Sequence, residues 1–267
     1  MHNPIFTRRS KIASLLIYTH LLIACFALFN VPAQAQTSAP AAASTPSETV
    51  RQFYRALSEK RFRDALRLSV YARAIEGLSD RELDELRPDF ESLAMGAEKV
   101  EIKGEQVSGE EATVFVKLKD DQPTTPPLPV LMRRVKGGWI IWDPEVESAV
   151  KKEGNKYFFN ARIKAHEEDA QSMLVRVAQA QLVYSAQHNG MFADLPTLVK
   201  EKLVPEDLLT SRSTGYNFRL TLSADKKSYT AGAEPAVYGR SGLRSFYMDR
   251  AGLQSADTGG KPYVPKK

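Results

Sequence analysis

The chain has 267 residues and a single cysteine, Cys25. One thiol makes no internal disulfide, and once the segment holding Cys25 is removed, as expected below, thiol catalysis and cysteine-based zinc sites are excluded. Histidine is scarce as well: of the four, only His166 and His188 lie beyond the first 35 residues. Charge of one sign is nowhere concentrated. The formal net charge of +5 comes from 37 basic and 32 acidic side chains, but Arg8, Arg9 and Lys11 fall in the first 35 positions with no acidic residue, leaving 34 against 32 in the rest. No basic stripe of the kind that marks nucleic-acid binding remains. A phosphate-binding loop, a G-x-G-x-x-G and a G-x-S-x-G elbow are all absent. Gly239-Arg240-Ser241-Gly242 lacks the elbow spacing and reads as a loop between strands. No repeat with a period of roughly 20–50 residues occurs, which argues against solenoids and propellers. What is there, 43% apolar and 26% charged residues, is the composition of a globular protein rather than of a disordered or membrane-embedded one.

The N-terminus carries an export pattern. A basic stretch, Arg8-Arg9-Ser10-Lys11, precedes the apolar run Ile12 to Val31, and Ala33-Gln34-Ala35 places small residues at an A-x-A cleavage site. The small-residue exit and the polar His20 favour a cleaved signal over an uncleaved anchor. Residues 1–35 are therefore expected to be a signal peptide cut between Ala35 and Gln36, with the product periplasmic or secreted. A rival is Leu22-Ile23-Ala24-Cys25, which looks like a lipobox and would make Cys25 the lipidated residue of a membrane-anchored lipoprotein. Against it, Phe26-Ala27-Leu28-Phe29 stays apolar where lipoproteins turn polar. Membrane contact is expected only through the signal peptide or such a lipid. The 232 residues that remain bury enough apolar surface to fold without disulfides. Residues 36–45, uncharged and rich in Ala, Ser, Thr and Pro, read as a flexible linker.

The first folded region, 46–150, opens with Thr45 as N-cap, Pro46 at the first helical position and Glu48 three residues after the cap. Val50, Phe53, Tyr54 and Leu57 follow at helical spacing. A second short helix carries Phe62, Ala65, Leu66 and Leu68. A third is expected from Ser79, burying Leu83, Leu86, Phe90 and Leu93. The period then changes to two: Val100 and Ile102, a turn at Ser108-Gly109, Val114, Val116 and Leu118, the Pro-rich loop 122–129, Val130 to Val135, a turn at Lys136-Gly137-Gly138, and Trp139-Ile140-Ile141-Trp142. Helices followed by antiparallel strands make an α+β domain. The order resembles the nuclear-transport-factor-two-like superfamily, the cone-shaped fold also called cystatin-like or SnoaL-like. The resemblance rests on Val50-x-x-Phe53-Tyr54-x-Ala56-Leu57, Phe62-Arg63-Asp64-Ala65-Leu66 and the hairpin Arg134-Val135-Lys136-Gly137-Gly138-Trp139-Ile140-Ile141. It implies N-terminal helices against a curved, cone-like antiparallel sheet.

Glu145 to Asn160, charged and then aromatic, reads as the boundary. A second region, 161–258, opens with a long helix from Ala161 to about His188, with Glu167, Glu168 and Asp169 in its early part, where the helix dipole favours acids. Met173, Leu174, Val177, Ala180, Gln181 and Tyr184 mark one face, and Asn189-Gly190 makes a C-terminal stop. Then come the short segment Leu195-Pro196-Thr197-Leu198, a strand Tyr216 to Leu222, a turn at Asp225-Lys226-Lys227, a strand from Tyr229, and a last strand Arg244 to Asp249 ending in Arg250-Ala251-Gly252. Residues 259–267 read as a disordered tail. One long helix on a small antiparallel meander resembles the globular part of type IV pilins and type II secretion pseudopilins. The likeness is carried by Ala161-Arg162-Ile163, Ala180-Gln181-x-x-Tyr184, Gly190-Met191-Phe192-Ala193-Asp194-Leu195, Gly215-Tyr216-Asn217-Phe218 and Arg244-Ser245-Phe246-Tyr247-Met248-Asp249-x-x-Gly252. Pilins begin with the apolar half of that helix. Here Lys151 to Asn160 and a whole domain precede it, so the resemblance implies a pilin-like domain unable to form a pilus core.

Chemistry is thin. His166 and Asp169 stand at i, i+3, a spacing compatible with a metal but here read as a solvated acidic turn, since no other imidazole is near. His188 reads as a favourable charge at the helix C-terminus. Asp249, Gly252 and Asp257 could mimic the calcium loop of some pseudopilins, with few oxygen ligands to support it. A cone fold can open a pocket in which a carboxylate acts as base, as in ketosteroid isomerase relatives; Asp64, Asp89 or Asp143 with Tyr54 or Tyr71 are the available members. A base needs a raised pKa and a partner in reach, and no such pair can be specified. Tyr54, Tyr71, Trp139, Trp142 and Asp143 are thus the ligand-pocket candidates, with core packing the stronger reading for the tryptophans. The expectation is a non-catalytic, cofactor-free and metal-free envelope protein that binds or scaffolds protein partners. The alternative is a small apolar ligand, or an isomerase- or hydratase-type reaction, in the cone pocket.

Overall fold

The computed structural model describes residues 44–118, 122 and 124–265. The signal-peptide residues, the Ala35–Gln36 cleavage site, Cys25 and most of the linker lie outside them. The chain divides into two compact units, with the division between Tyr157 and Phe158.

In the first unit, α1 (Pro46–Ser58) starts where its cap signals place it: the Thr45 hydroxyl accepts the Glu48 N–H at 3.2 Å. The Ser47 N–H, another donor without a helical acceptor, donates to Glu105 at 2.9 Å. Val50, Phe53, Ala56 and Leu57 are buried along one stripe. Helix α2 (Phe62–Arg67) follows, and α3 (Ala72–Glu76) adds Ala74 and Ile75 to the core. Sequence periodicity shows no α3. The single helix expected from Ser79 is two, α4 (Asp80–Glu85) and α5 (Arg87–Leu93). Pro88 has no N–H to continue the ladder and forces the break. The Ser79–Glu82 capping box is present. Of the four residues expected buried there, Leu86 and Phe90 are, while Leu83 and Leu93 are half-exposed.

A four-stranded antiparallel sheet follows in the order β1 (Val100–Ser108), β2 (Glu111–Leu118), β3 (Leu128–Val135), β4 (Gly138–Ile141). Its inward positions alternate as period two requires: Ala112, Val114 and Val116, then Met132, then Trp139 and Ile141. A bulge between Ile102 and Gly104 interrupts β1. Residues 68–70 pair with the outer edge of β4: Val70 N–H donates to the Ile141 carbonyl at 3.0 Å, and Ile141 N–H to that of Leu68 at 2.9 Å. The stretch expected as a boundary is helical throughout: α6 (Pro144–Glu153), a 3-10 turn (Gly154–Lys156), and the start of α7. Val146 and Val150 bury one side of α6 in the first unit.

The second unit holds α7 (Tyr157–Gln187), whose 31 residues span about 46 Å and whose start precedes the expected one by four. Ala170, Met173, Leu174, Val177 and Ala180 face its core, and Tyr184 is partly buried beside them. Gln181 is fully buried on this face. Its amide nitrogen donates to the Ala193 carbonyl at 2.6 Å and its oxygen accepts the Ala193 N–H at 3.0 Å, tying the helix to the loop that follows. Asn189 and Gly190 end the helix at positive φ. The 195–198 segment lies in a helix, α8 (Leu195–Lys200), capped by Asp194. The sheet has four strands, not three: β5 (Tyr216–Leu222), β6 (Tyr229–Pro235), β7 (Arg244–Asp249) and β8 (Gly252–Asp257), an antiparallel meander in chain order. Tyr216 is buried to its hydroxyl, which donates to the Arg244 carbonyl at 2.9 Å. Only glycine fits at 242, since a Cβ there would collide with that hydroxyl. The segment read as a tail is described to Pro265; Gly259 N–H closes onto Asp257 at 3.0 Å. Among the described residues no helix is long and apolar enough to cross a membrane.

Candidate functional site

The five pocket candidates do not line one cavity. Tyr71 and Asp143 come together with Tyr157, which sequence reasoning placed in the boundary. The two phenol rings lie 5.5 Å apart at 46°, both buried. The Tyr71 and Tyr157 hydroxyls are hydrogen-bonded to each other. Burial, then Tyr157 and then the Asp143 charge push the Tyr71 phenol far above its ordinary pKa; burial also raises Tyr157, with Glu153 and Asp143 adding and the bond with Tyr71 opposing. Both phenols are therefore protonated at neutral pH. Asp143 is the N-cap of α6: its Oδ1 accepts the N–H groups of Glu145 at 2.9 Å and Val146 at 3.0 Å. Asp-Pro-Glu followed by valines at i, i+4 was the available signal for that helix.

The tryptophans part company. Trp139 is buried in the core, with the Arg134 guanidinium 5.8 Å from its ring centre. Trp142 is only half-buried and belongs to a polar cluster, so core packing does not describe it. The Arg133 guanidinium stacks over its ring at 3.6 Å, its indole N–H donates to Glu147 at 3.0 Å, and Arg133 donates to the same carboxylate oxygen at 3.1 Å. Lys151 completes the set at 2.9 Å from the other oxygen. The Trp142 hydrogen bond and then Lys151 and Arg133 hold the Glu147 carboxyl below its ordinary pKa. The cluster joins β3 and the residue after β4 to α6. Asp64 is exposed and paired with Arg61 at 2.8 Å, and Asp89 sits in the first turn of α5.

Tyr54 lies elsewhere, in a groove of about 620 Å³ between α1 and residues 97–102. Val50, Tyr54, Ala97, Val100 and Ile102 supply its apolar surface. Arg51, Arg55 and Ser58 line the α1 side, and Glu98 and Glu101 the other. Arg51 pairs with Glu48 at 3.3 Å and Glu101 with Lys103 at 2.7 Å. Among the described residues neither Arg55 nor Glu98 has an ion-pair partner. Burial raises the Tyr54 phenol above its ordinary pKa.

In the second unit the acidic turn of α7 is a clamp rather than a solvated face. His166 Nδ1 lies 3.1 Å from the Ser241 carbonyl, and Glu167 accepts the N–H groups of Leu243 at 2.9 Å and Arg244 at 3.0 Å. Arg240 places its guanidinium 4.1 Å from the Phe159 ring centre. The loop joining β6 to β7 is thereby docked on the early turns of α7, and Gly215 is required because a Cβ there would enter the His166 ring. His188 Nδ1 is 2.8 Å from the Tyr184 carbonyl and its ring stacks on that of Tyr184 at 3.8 Å. Asp249 and Asp257 do not share a loop. Asp249 pairs with Gly252 at one end of the β7–β8 ladder and Asp257 with Arg244 at the other, about 17 Å apart at strand rise. Asp249 accepts the Ala251 N–H and Asp257 the Tyr238 hydroxyl. Among the described residues no group of three His, Cys, Asp or Glu side chains is placed to hold a metal.

One polar residue went unmarked. Glu234 in β6 has a carboxylate oxygen shielded from solvent without a hydrogen bond, 3.7 Å from Arg219. Burial raises its pKa and Arg219 opposes the shift. Compared with protein-family models, curated proteins and solved structures, the chain finds no match in any of the three.

Proposed function

We propose that this chain is an exported, non-catalytic protein of a bacterial cell envelope that acts as a binding or scaffolding module. In this reading its first unit is nuclear-transport-factor-two-like and its second pilin-like, without the apolar half-helix of a filament subunit. One observation carries the reading. Three of the five acids and phenols available for catalysis in a cone pocket are already engaged in the fold: Asp143 caps α6, Asp64 is paired with Arg61, and Tyr71 is buried against Tyr157. The inward face of the first sheet is filled by side chains, from Val114 to Trp139. What remains available for interaction is surface, above all the α1–β1 groove, where Arg55 and Glu98 have no ion-pair partner among the described residues.

The test is affinity capture from envelope extracts with the full chain as bait, scored for a partner retained in stoichiometric amount. The expected result is such a partner, held equally well by a Tyr71→Phe variant. The reading fails if nothing is retained, or if Tyr71→Phe abolishes function while thermal stability is unchanged.

A further inference from the structure

We propose that the α1–β1 groove receives an extended segment of a partner protein carrying a carboxylate for Arg55 and a cationic side chain for Glu98. The inference rests on the binding-module reading and names the kind of partner it requires. Arg55 and Glu98 line the same groove and bear opposite charges, yet neither pairs with the other nor with any described residue. Each is exposed. Between them lies apolar surface from Val50, Tyr54 and Ile102. A concavity with an apolar floor and separated, complementary charges fits an occupant that is apolar along its length and charged at two points.

The shape favours a polypeptide over a small molecule. Small-ligand sites enclose their ligand in mostly apolar walls, whereas half the residues lining this groove are charged or polar. One wall is β1, which among the described residues is the outer strand of its sheet. The Val100–Ile102 stretch, which precedes the bulge, is the part of β1 that lines the groove. An extended segment laid there gains main-chain hydrogen bonds to β1 and side-chain contacts to α1 together.

The test uses the full chain and fluorescent, Val-rich extended peptides bearing a single Glu, a single Lys, or both at varied separations. Peptides bearing both charges are expected to bind the wild-type chain. Arg55→Glu should weaken the Glu-only peptides by about tenfold and spare the Lys-only ones, and Glu98→Lys should do the reverse. Both side chains are exposed and unpaired among the described residues, so the variants should keep the wild-type thermal transition. The assignment is overturned if no peptide binds, if the two variants bind all peptides as the wild type does, or if Arg55→Glu instead breaks a self-association of the chain. Capture of an envelope partner that Arg55→Glu leaves unchanged would remove the groove from the account while the binding-module reading stands. Charge-dependent peptide binding with no partner captured from the envelope would remove that reading and leave the groove.

Discussion

Gln181 shows how a single polar side chain governs a unit otherwise held by apolar contacts. Its amide faces inward among Leu174, Val177 and Ala180, a position that would be costly if unpaired. Both of its hydrogen-bonding ends are matched by one backbone unit, the N–H and carbonyl of Ala193. Gln181→Leu removes the amide but leaves those two groups buried without partners. The expected loss is about 1–3 kcal/mol, read from the chemical denaturation midpoint by far-UV circular dichroism. Gln179→Leu, two positions away but exposed, should stay within about 0.5 kcal/mol. Equal effects from the two would mean that the Ala193 bonds contribute nothing. His166 and Glu167 carry a related lesson. Spacing marked them as a polar turn, and their partners, Ser241, Leu243 and Arg244, lie some 75 residues downstream, where no local pattern points.

At the scale of the element, the first turn of α6 is held by two carboxylates. Asp143 caps its start, and Glu147 within it ties back to Arg133 on β3 and to Trp142 just after β4. Glu147 has a lowered pKa in the folded state, so it binds its proton less readily there than in the unfolded chain. Its contribution to stability is therefore full above the ordinary carboxylate value, about 4.3, and is lost as pH falls through the folded value. Glu147→Gln should lower the first unit's unfolding midpoint at neutral pH, and the gap from wild type should narrow as the solution is acidified below that value. Tryptophan emission reads this directly. A gap that stays constant through acid would show that the carboxylate charge plays no part. The elements that periodicity missed, α3, α6 and β8, are short or charged on their surface, so few buried positions were available to set a period. Helix α5 was merged with α4 because Leu86 and Phe90 keep helical spacing across a break made by Pro88.

At the scale of the whole molecule, the two units have separate cores, and both tryptophans, Trp139 and Trp142, belong to the first. Val177 is buried in the second. Val177→Asp places an unpaired carboxylate there and should cost several kcal/mol, enough to unfold a unit of ordinary stability. If the units fold independently, far-UV circular dichroism loses the helix and meander signal while the tryptophan transition of the first unit is unchanged. Loss of both signals together would show one cooperative structure.

The local chemistry of the chain determined by itself the start of α1, the capping box at Ser79, the buried stripe of α7, its stop at Asn189-Gly190, and the alternation of β2 and β5. Each of these depends on neighbours within a few residues, where cap geometry and burial period act directly. The candidate site was another matter. Tyr54, Tyr71, Trp139, Trp142 and Asp143 were chosen by type, and only tertiary structure decided that Tyr71 meets Tyr157, that Trp142 meets Arg133 and Glu147, and that Tyr54 faces Val100 and Ile102 across a groove. Whether an aspartate is a base or a cap, and whether an arginine is paired or left to meet a partner, depends on groups brought near by packing between elements distant in the chain. That proximity has no period along the sequence.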